Sequence, residues 1–345
     1  MMKCCRLVLV FIVLLTMAPI VLPQDDVAHA RRYYERGRKL YRAGHTDRAI
    51  EELYTALSVQ EIFFNAQLLL GRSLVETRRY REAVATLREI ESPDRDTAEV
   101  QKLLGKAYYG MNKLREAGQK LSYATNLSKR PDYELHYLLG LVKLRQEDAQ
   151  SAILEARTAV ALKPRAAPAH KLLSDAYLMK KDYKQAEEAL VRCLRNVRDP
   201  AEVRELKERI GIIKSLGKAK PEETIQKPVS PPRINKIPQP NYTDEARRYR
   251  VEGEIRVETL FGSNGVVLQA LVTRGLGFGL DEEALKAAHA IEFKPGEIDG
   301  QPASMWAGVK ILFTIADGKK KPKEDSRIAL IIEAKLRTGI RPAAR

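Results

Sequence analysis

The chain is poor in cysteine and places almost none of it in its body. Of three cysteines among 345 residues, Cys4 and Cys5 lie in the N-terminal segment and only Cys193 lies beyond it. A mature chain without the first two forms no internal disulfide. Cys193 falls at a small-residue core position, where a free thiol packs as a small hydrophobe. The histidines His29, His45, His136, His170 and His289 are scattered without metal-ligand spacing, so no metal site is expected. No nucleophile elbow and no phosphate-cradling lysine loop occurs. Gly275-Leu276-Gly277-Phe278-Gly279 lies between a strand pattern and a helix pattern. However, Leu280 stands where a dinucleotide loop needs its third glycine. Paired acids such as Glu51-Glu52 and Glu187-Glu188 read as solvated helix faces. The expectation is a protein that is not an enzyme and that needs no cofactor.

Acidic residues are also in deficit. Lys and Arg number 60 against 45 Asp and Glu, a net charge of +15. Such an excess points to acidic peptides, lipid headgroups or nucleic acid, or serves solubility alone. The N-terminus narrows the choice. Lys3 and Arg6 precede a nearly unbroken apolar run of sixteen residues, Leu7 to Leu22. This is the pattern of a secretory signal, or of a membrane anchor short of the usual span of roughly 20 residues. Cleavage is expected near Leu22 to Gln24. The alternative small-x-small site at Ala28-His29-Ala30 would cut into the first helix. Cys4 and Cys5 precede the run, so they form no lipoprotein cleavage site. Export argues against nucleic acid as a partner. It leaves membrane contact to the N-terminal segment.

The body repeats itself. Ala49, Ala83, Ala117, Ala152 and Ala186 are spaced by 34, 34, 35 and 34 residues, and Gly37, Gly71, Gly105, Gly140 and Ser174 by the same steps. Small residues at fixed phases of such a period mark stacked helix pairs. The small residue of the first helix lets the second approach closely, and the alanine of the second does the same from the other side. Apolar residues at i, i+3, i+4 and i+7 fill the seam. Pro93, Pro131, Pro164 and Pro200 fall between units. Residues 201–216, with Val203, Leu206, Ile210 and Ile213, read as a closing helix. This pattern resembles the tetratricopeptide repeat family. The resemblance implies an all-α solenoid over 27–216, five helix pairs plus a capping helix, after an export segment at 1–24.

In that family the first helix of each pair lines a groove. Arg38, Arg72 and Lys106 occupy the same phase of the first three units, with Tyr34, Tyr41, Lys102, Tyr109 and Tyr137 expected to flank them. The resemblance thus implies a basic, aromatic-edged groove for an acidic peptide segment. The ladder stops at Leu141 and Asp175 in units four and five.

Six prolines follow within residues 218–240. The stretch 217–232 reads as a semi-rigid extended linker between domains. After it the period changes from 3.6 to 2. Ile255, Val257, Thr259 and Phe261 alternate with Glu254, Arg256, Glu258 and Leu260 as a half-buried strand. Gly262-Ser263-Asn264-Gly265 is a hairpin turn, and Val266 to Thr273 a second strand. Asp281 is expected to cap a helix from Glu282 to Ala290. A last strand runs from Ala307 to Ile315, and a short helix from Asp244 to Tyr249 precedes the first strand.

The order helix–strand–strand–helix–strand resembles the TonB C-terminal domain. The residues Tyr242, Ala246-Arg247, Gly253, Asn264-Gly265, Leu280-Asp281, Ala284-Leu285, Phe293-Lys294-Pro295, Gly300-Gln301-Pro302 and Phe313 carry that resemblance. It departs at Thr243, where the family has proline, and at Arg274-Gly275-Leu276-Gly277. What it implies is a small α+β binding module over 233–316, docking an envelope or outer-membrane protein by strand addition. The edge used would be Val309, Lys310, Ile311, Leu312, Phe313, Thr314 and Ile315. The tail, 317–345, is basic, with Lys319-Lys320-Lys321 read as a solvated linker. Its apolar stretch Ile328 to Leu336 reads as a short helix or strand, expected to dock on one of the domains, with contact to an anionic surface as the alternative.

The expected whole is a periplasmic adaptor that holds one partner in its solenoid and another at its C-terminal module. The alternative is an energy transducer for transport through outer-membrane receptors, which needs an uncleaved N-terminal anchor.

Overall fold

A computed structural model describes residues 24–61, 63–91, 97–221, 229–315 and 331–338. The export segment, Pro93 and Lys319-Lys320-Lys321 lie outside them. Ten helices follow one another as five sequential pairs. They are α1 (Gln24–Arg42) and α2 (Thr46–Val59), α3 (Phe64–Glu76) and α4 (Tyr80–Glu89), α5 (Ala98–Gly110) and α6 (Leu114–Leu127), α7 (Tyr133–Arg145) and α8 (Ala149–Leu162), α9 (Ala167–Met179) and α10 (Tyr183–Leu194). The longer α11 (Pro200–Lys218) follows them. The chain divides into two compact units, with the division inside α3 after Ser73.

Local chemistry starts and stops these helices at the repeat period. Asp148, Asp182 and Asp199 cap α8, α10 and α11, each accepting a backbone N–H three residues on at 3.0, 3.2 and 3.1 Å. Pro200 then sits in the first turn, where its missing N–H costs nothing. Between the helices of each pair one residue turns left-handed. Gly44 does so in the first pair, and Arg78, Asn112, Glu147 and Lys181 at φ 59° to 64° in the next four. The small residues of the seam are required by contact. A Cβ on Gly105 would stand 2.5 Å from Leu121 Cγ, and one on Gly140 2.7 Å from Leu172 Cδ2. In the first unit a Cβ on Gly37 would meet Leu53 Cγ at 3.0 Å.

The second unit continues into a sheet. After α11 come β1 (Lys220–Pro221), β2 (Val229–Ser230), β3 (Arg233–Lys236), α12 (Asp244–Arg248), β4 (Gly253–Phe261), β5 (Val267–Arg274) and α13 (Leu280–His289). Then β6 (Glu292–Lys294), β7 (Gly296–Ile298), β8 (Gln301–Ala303), β9 (Met305–Phe313) and β10 (Ile331–Thr338) complete the described chain. The main sheet has the order β1-β10-β9-β4-β5, and every neighbouring pair is antiparallel. Small sheets β2-β7-β8 and β3-β6 accompany it.

Alternation assigns the two faces of the main sheet. Ile255, Val257, Phe261, Val309, Ile311 and Phe313 share a core with Leu280, Ala284 and Ala288 of α13. Leu260, Leu271 and Trp306 lie in another core, together with Leu173, Leu178, Leu190, Ile213 and Leu216 of the helices. The sheet is therefore not held away from the helices by the proline-rich stretch. Its second face is buried on α9–α11, because three large apolar side chains there would otherwise face water. The ends of the stretch are themselves strand-paired, β1 with β10 and β2 with β7.

Two expectations change. Asp281 does not cap α13; Gly279, at φ 76°, occupies that position. Asp281 instead reaches back and accepts from the amides of Leu276 (2.7 Å) and Gly277 (3.1 Å). Also, β9 is not the outer strand of its sheet. Residues 331–338 pair with it on the side away from β4, satisfying backbone groups that would otherwise be open. Thr314 and Ile315 lie past the end of β9.

Candidate functional site

In the first unit, α1 and α3 place basic and aromatic side chains around one cavity of about 230 Å³. It is lined by Tyr34, Arg38, Tyr41, Arg42, Asn65, Leu68, Leu69 and Arg72. Four of these were expected from the repeat phase: Tyr34, Arg38, Tyr41 and Arg72. The other four follow from helix geometry. Arg42 is one turn beyond Arg38, and Asn65, Leu68, Leu69 and Arg72 are spaced i, i+3, i+4 and i+7 on α3. The Arg38 guanidinium lies 5.8 Å from the centre of the Tyr34 ring and 2.6 Å from Glu35. The Tyr34 ring packs at 5.0 Å on Phe63. Three guanidiniums, one amide and two leucines, with no carboxylate in the lining, suit an anionic group next to an apolar one.

Lys102 and Lys106 lie in the second unit and are already paired. Lys106 Nζ donates to Glu134 at 2.7 Å. Lys102 Nζ lies 2.9 Å from Glu99, 3.2 Å from Asp132 and 3.2 Å from Glu134. Burial opposes the charge on Lys102, but these three acids win and hold its ammonium above the usual lysine range. Burial likewise pushes Glu134 up, while hydrogen bonds from Lys106 and Lys102 hold it below the ordinary carboxylate value. The third unit's basic residues thus join α5 to α7.

Tyr109 and Tyr137 are drawn toward the C-terminal module. The Arg145 guanidinium lies 5.7 Å from the Tyr109 ring and 5.2 Å from the ring of Phe278, in the loop before α13. Tyr137 stacks on Tyr133 at 6.0 Å and packs against the core that contains Trp306. Burial, with the charges around it, pushes its hydroxyl up to about 12.

Further contacts fix the module on the helices at the turns within pairs. Arg78 Nη1 donates to Glu245 at 2.9 Å, and Tyr249 Oη to the carbonyl of Arg78 at 3.3 Å. The Tyr249 ring lies 5.8 Å from Tyr80 and 5.9 Å from Phe278. Arg274 pairs with Glu147. Thr243, which departs from the family pattern, has a clear role. Its hydroxyl accepts from Ala246 N (3.2 Å), capping α12, and donates to the carbonyl of Phe278 (2.6 Å).

The glycine-rich loop is closed on itself. Two of its amides are taken by Asp281, and a Cβ on Gly275 would stand 2.3 Å from that carboxylate. Cys193 is buried, and burial pushes its thiol up. Among the described residues no His, Cys, Asp and Glu cluster could hold a metal ion, and no helix is long and apolar enough to cross a membrane.

At the module's other border, β9 carries the expected docking residues Val309, Lys310, Ile311, Leu312 and Phe313. Its pairing with β4 is unbroken from Gly253 opposite Phe313 to Phe261 opposite Met305. Its pairing with β10 joins Lys310, Val309 and Gly308 to Ile331, Ile332 and Glu333, and then Trp306 and Met305 to Arg337 and Thr338.

Comparison with known proteins follows the same division. Residues 40–107 and 143–210 match the tetratricopeptide repeat family. Residues 238–315 match the family described as Gram-negative bacterial TonB protein C-terminal. Among solved structures, a MamA protein is 22% identical over 50% of this chain and 94% of its own, with a TM-score of 0.44. Pseudomonas aeruginosa pilF is 19% identical over 55% and 86%, with a TM-score of 0.47. YrrB, described as a TPR protein with an unusual peptide-binding site, is 18% identical over 52% and 91%, with a TM-score of 0.44. No curated relative matches the sequence.

Proposed function

We propose that this chain, which carries tetratricopeptide repeats and a TonB C-terminal-like domain, is a non-enzymatic, exported adaptor of the bacterial cell envelope. Its repeats hold one partner by an acidic peptide segment. Its C-terminal domain docks another, an envelope or outer-membrane protein. The observation that carries this reading is the cavity of Arg38, Arg42 and Arg72 with its flanking tyrosines. Guanidiniums grip carboxylates with paired hydrogen bonds, and the adjoining Leu68 and Leu69 favour an apolar neighbour in the ligand. The net charge of +15 supports attraction of acidic segments at long range.

Titration with a fluorescent Glu- and Leu-rich peptide tests it. Reversing Arg38, Arg72 and Lys106 to Glu is expected to abolish binding while the helical circular dichroism stays the same. Lys106→Glu alone has the smallest effect of the three single changes, because Lys106 is not among the residues that line the cavity. Wild-type affinity falls with added salt. Unchanged binding by the triple variant overturns the reading. The match of 238–315 to a TonB C-terminal family favours a second reading, an energy transducer retained in the inner membrane by residues 7–22.

A further inference from the structure

The tetrapeptide Arg-Arg-Tyr-Arg occurs twice, at residues 78–81 and 247–250. The first copy leads into α4, and the second closes α12. Both lie in the second unit, and the fold brings them together. The rings of Tyr80 and Tyr249 lie 5.8 Å apart, and the Tyr249 hydroxyl donates to the Arg78 carbonyl at 3.3 Å. A cleft of about 230 Å³ opens at this joint, lined by Arg78, Arg79, Arg81 and Arg248 with the two tyrosines. A helix pair and the C-terminal module thus build one site between them.

The neighbouring acids do not balance these charges. Among the described residues, Glu82 is the one carboxylate of the lining. Arg79 already grips it, with Nε at 2.8 Å and Nη2 at 2.5 Å. Arg78 is held by Glu245 at 2.9 Å. Arg81 and Arg248 are exposed, and among the described residues neither forms an ion pair. One comes from α4 and the other from the last turn of α12, so two unspent guanidiniums face the same cleft. Arginine stays charged at every working pH, and an anion shared by both removes their repulsion. A carboxylate has two oxygens and satisfies one guanidinium fork. A terminal phosphate has three oxygens and roughly −1.5 to −2 charges, so it accepts from two forks and neutralises both. We propose that the cleft between the two Arg-Arg-Tyr-Arg copies binds a terminal phosphate group, of a lipid headgroup or of a soluble phosphate, with Arg81 and Arg248 as its clamps. This site shares no residue with the cavity assigned to an acidic peptide, so the two readings stand or fall separately.

The test is calorimetric titration of the full chain with inorganic phosphate at constant ionic strength. The variant Arg81→Gln/Arg248→Gln is expected to bind at least tenfold more weakly than wild type, having lost two charge-assisted forks. Phosphate held by the first unit's arginines is common to both chains and cancels in the comparison. The variant Lys184→Gln/Lys207→Gln loses the same charge from other exposed positions and should bind as wild type does. Both altered arginines are exposed, so helical circular dichroism and tryptophan emission stay unchanged in the variant. Flotation with phosphatidylcholine vesicles identifies the source. Vesicles containing phosphatidic acid present a terminal phosphate, and those containing phosphatidylglycerol present only a diester of lower charge. Stronger retention on phosphatidic acid, lost in Arg81→Gln/Arg248→Gln, supports the proposal with lipid as the source. Equal retention of both chains, with the tenfold loss for inorganic phosphate intact, supports it with a soluble source. Equal phosphate affinity of wild type and the arginine variant overturns it. An equal loss in the lysine variant also overturns it, because bulk charge then explains the binding. So does a Glu-rich peptide that loses affinity in the arginine variant while phosphate does not, because the cleft is then a carboxylate site.

Discussion

Lys102 is 13% exposed and faces three acids. Replacing it with Met is expected to lower stability by about 1 kcal/mol at pH 7, a modest figure because Glu134 is 40% exposed and screened by water. The sign with pH is defined. Glu134 and Asp132 titrate below their ordinary values of 4.5 and 3.8 in the folded chain. The stability they add is full above those values and is lost as pH falls through the folded ones. The gap between wild type and Lys102→Met should therefore close on acidification. Thermal melts of both chains from pH 7 to pH 3 check this, and a constant gap would refute the assignment. The basic phase of Lys102 and Lys106 was legible in the sequence, but their partners were not. Asp132 and Glu134 come from the next repeat, and a periodic pattern does not register which faces oppose each other. Asp281 was misread for a related reason. A carboxylate beside a helix start can accept amides ahead of it or behind it, and the backbone decides.

At the scale of elements, the sheet's two faces differ in how plainly the chain announces them. The inner face follows from simple alternation, Ile255-Val257-Thr259-Phe261. The outer face carries Leu260, Leu271 and Trp306 among charged neighbours, which reads as solvated when each strand is taken alone. Only the assembled sheet brings the three together against α9–α11. Trp306 is the only tryptophan, and it is fully buried. Its emission should be that of an apolar environment and should change in the same thermal transition as the helical signal. An emission typical of water-exposed indole would show that the sheet does not pack on the helices. Trp306→Ala should cost about 3–5 kcal/mol, the usual range for a large buried aromatic.

For the whole molecule, the repeat period, the capping helix and the module's strand order were all visible as spacing. The attachment of module to helices was not, because the prolines of 218–240 suggested distance, whereas the contacts that close it are far apart in the chain. The adaptor and transducer readings separate at the N-terminus. Mass spectrometry of the mature protein is expected to show a start near residue 24, and retention of residues 7–22 would favour the transducer. The left-handed turns within the helix pairs have a further consequence for anyone redesigning the chain. Gly44 shows that glycine meets this geometry, and Arg78 and Glu147 hold it at a penalty of about 1 kcal/mol each. Yet these two side chains reach Glu245 and Arg274 of the module. Glycine at both turns would relax the repeats and loosen the module's hold in one step, so robustness of the scaffold and firmness of the graft cannot be raised together at those positions.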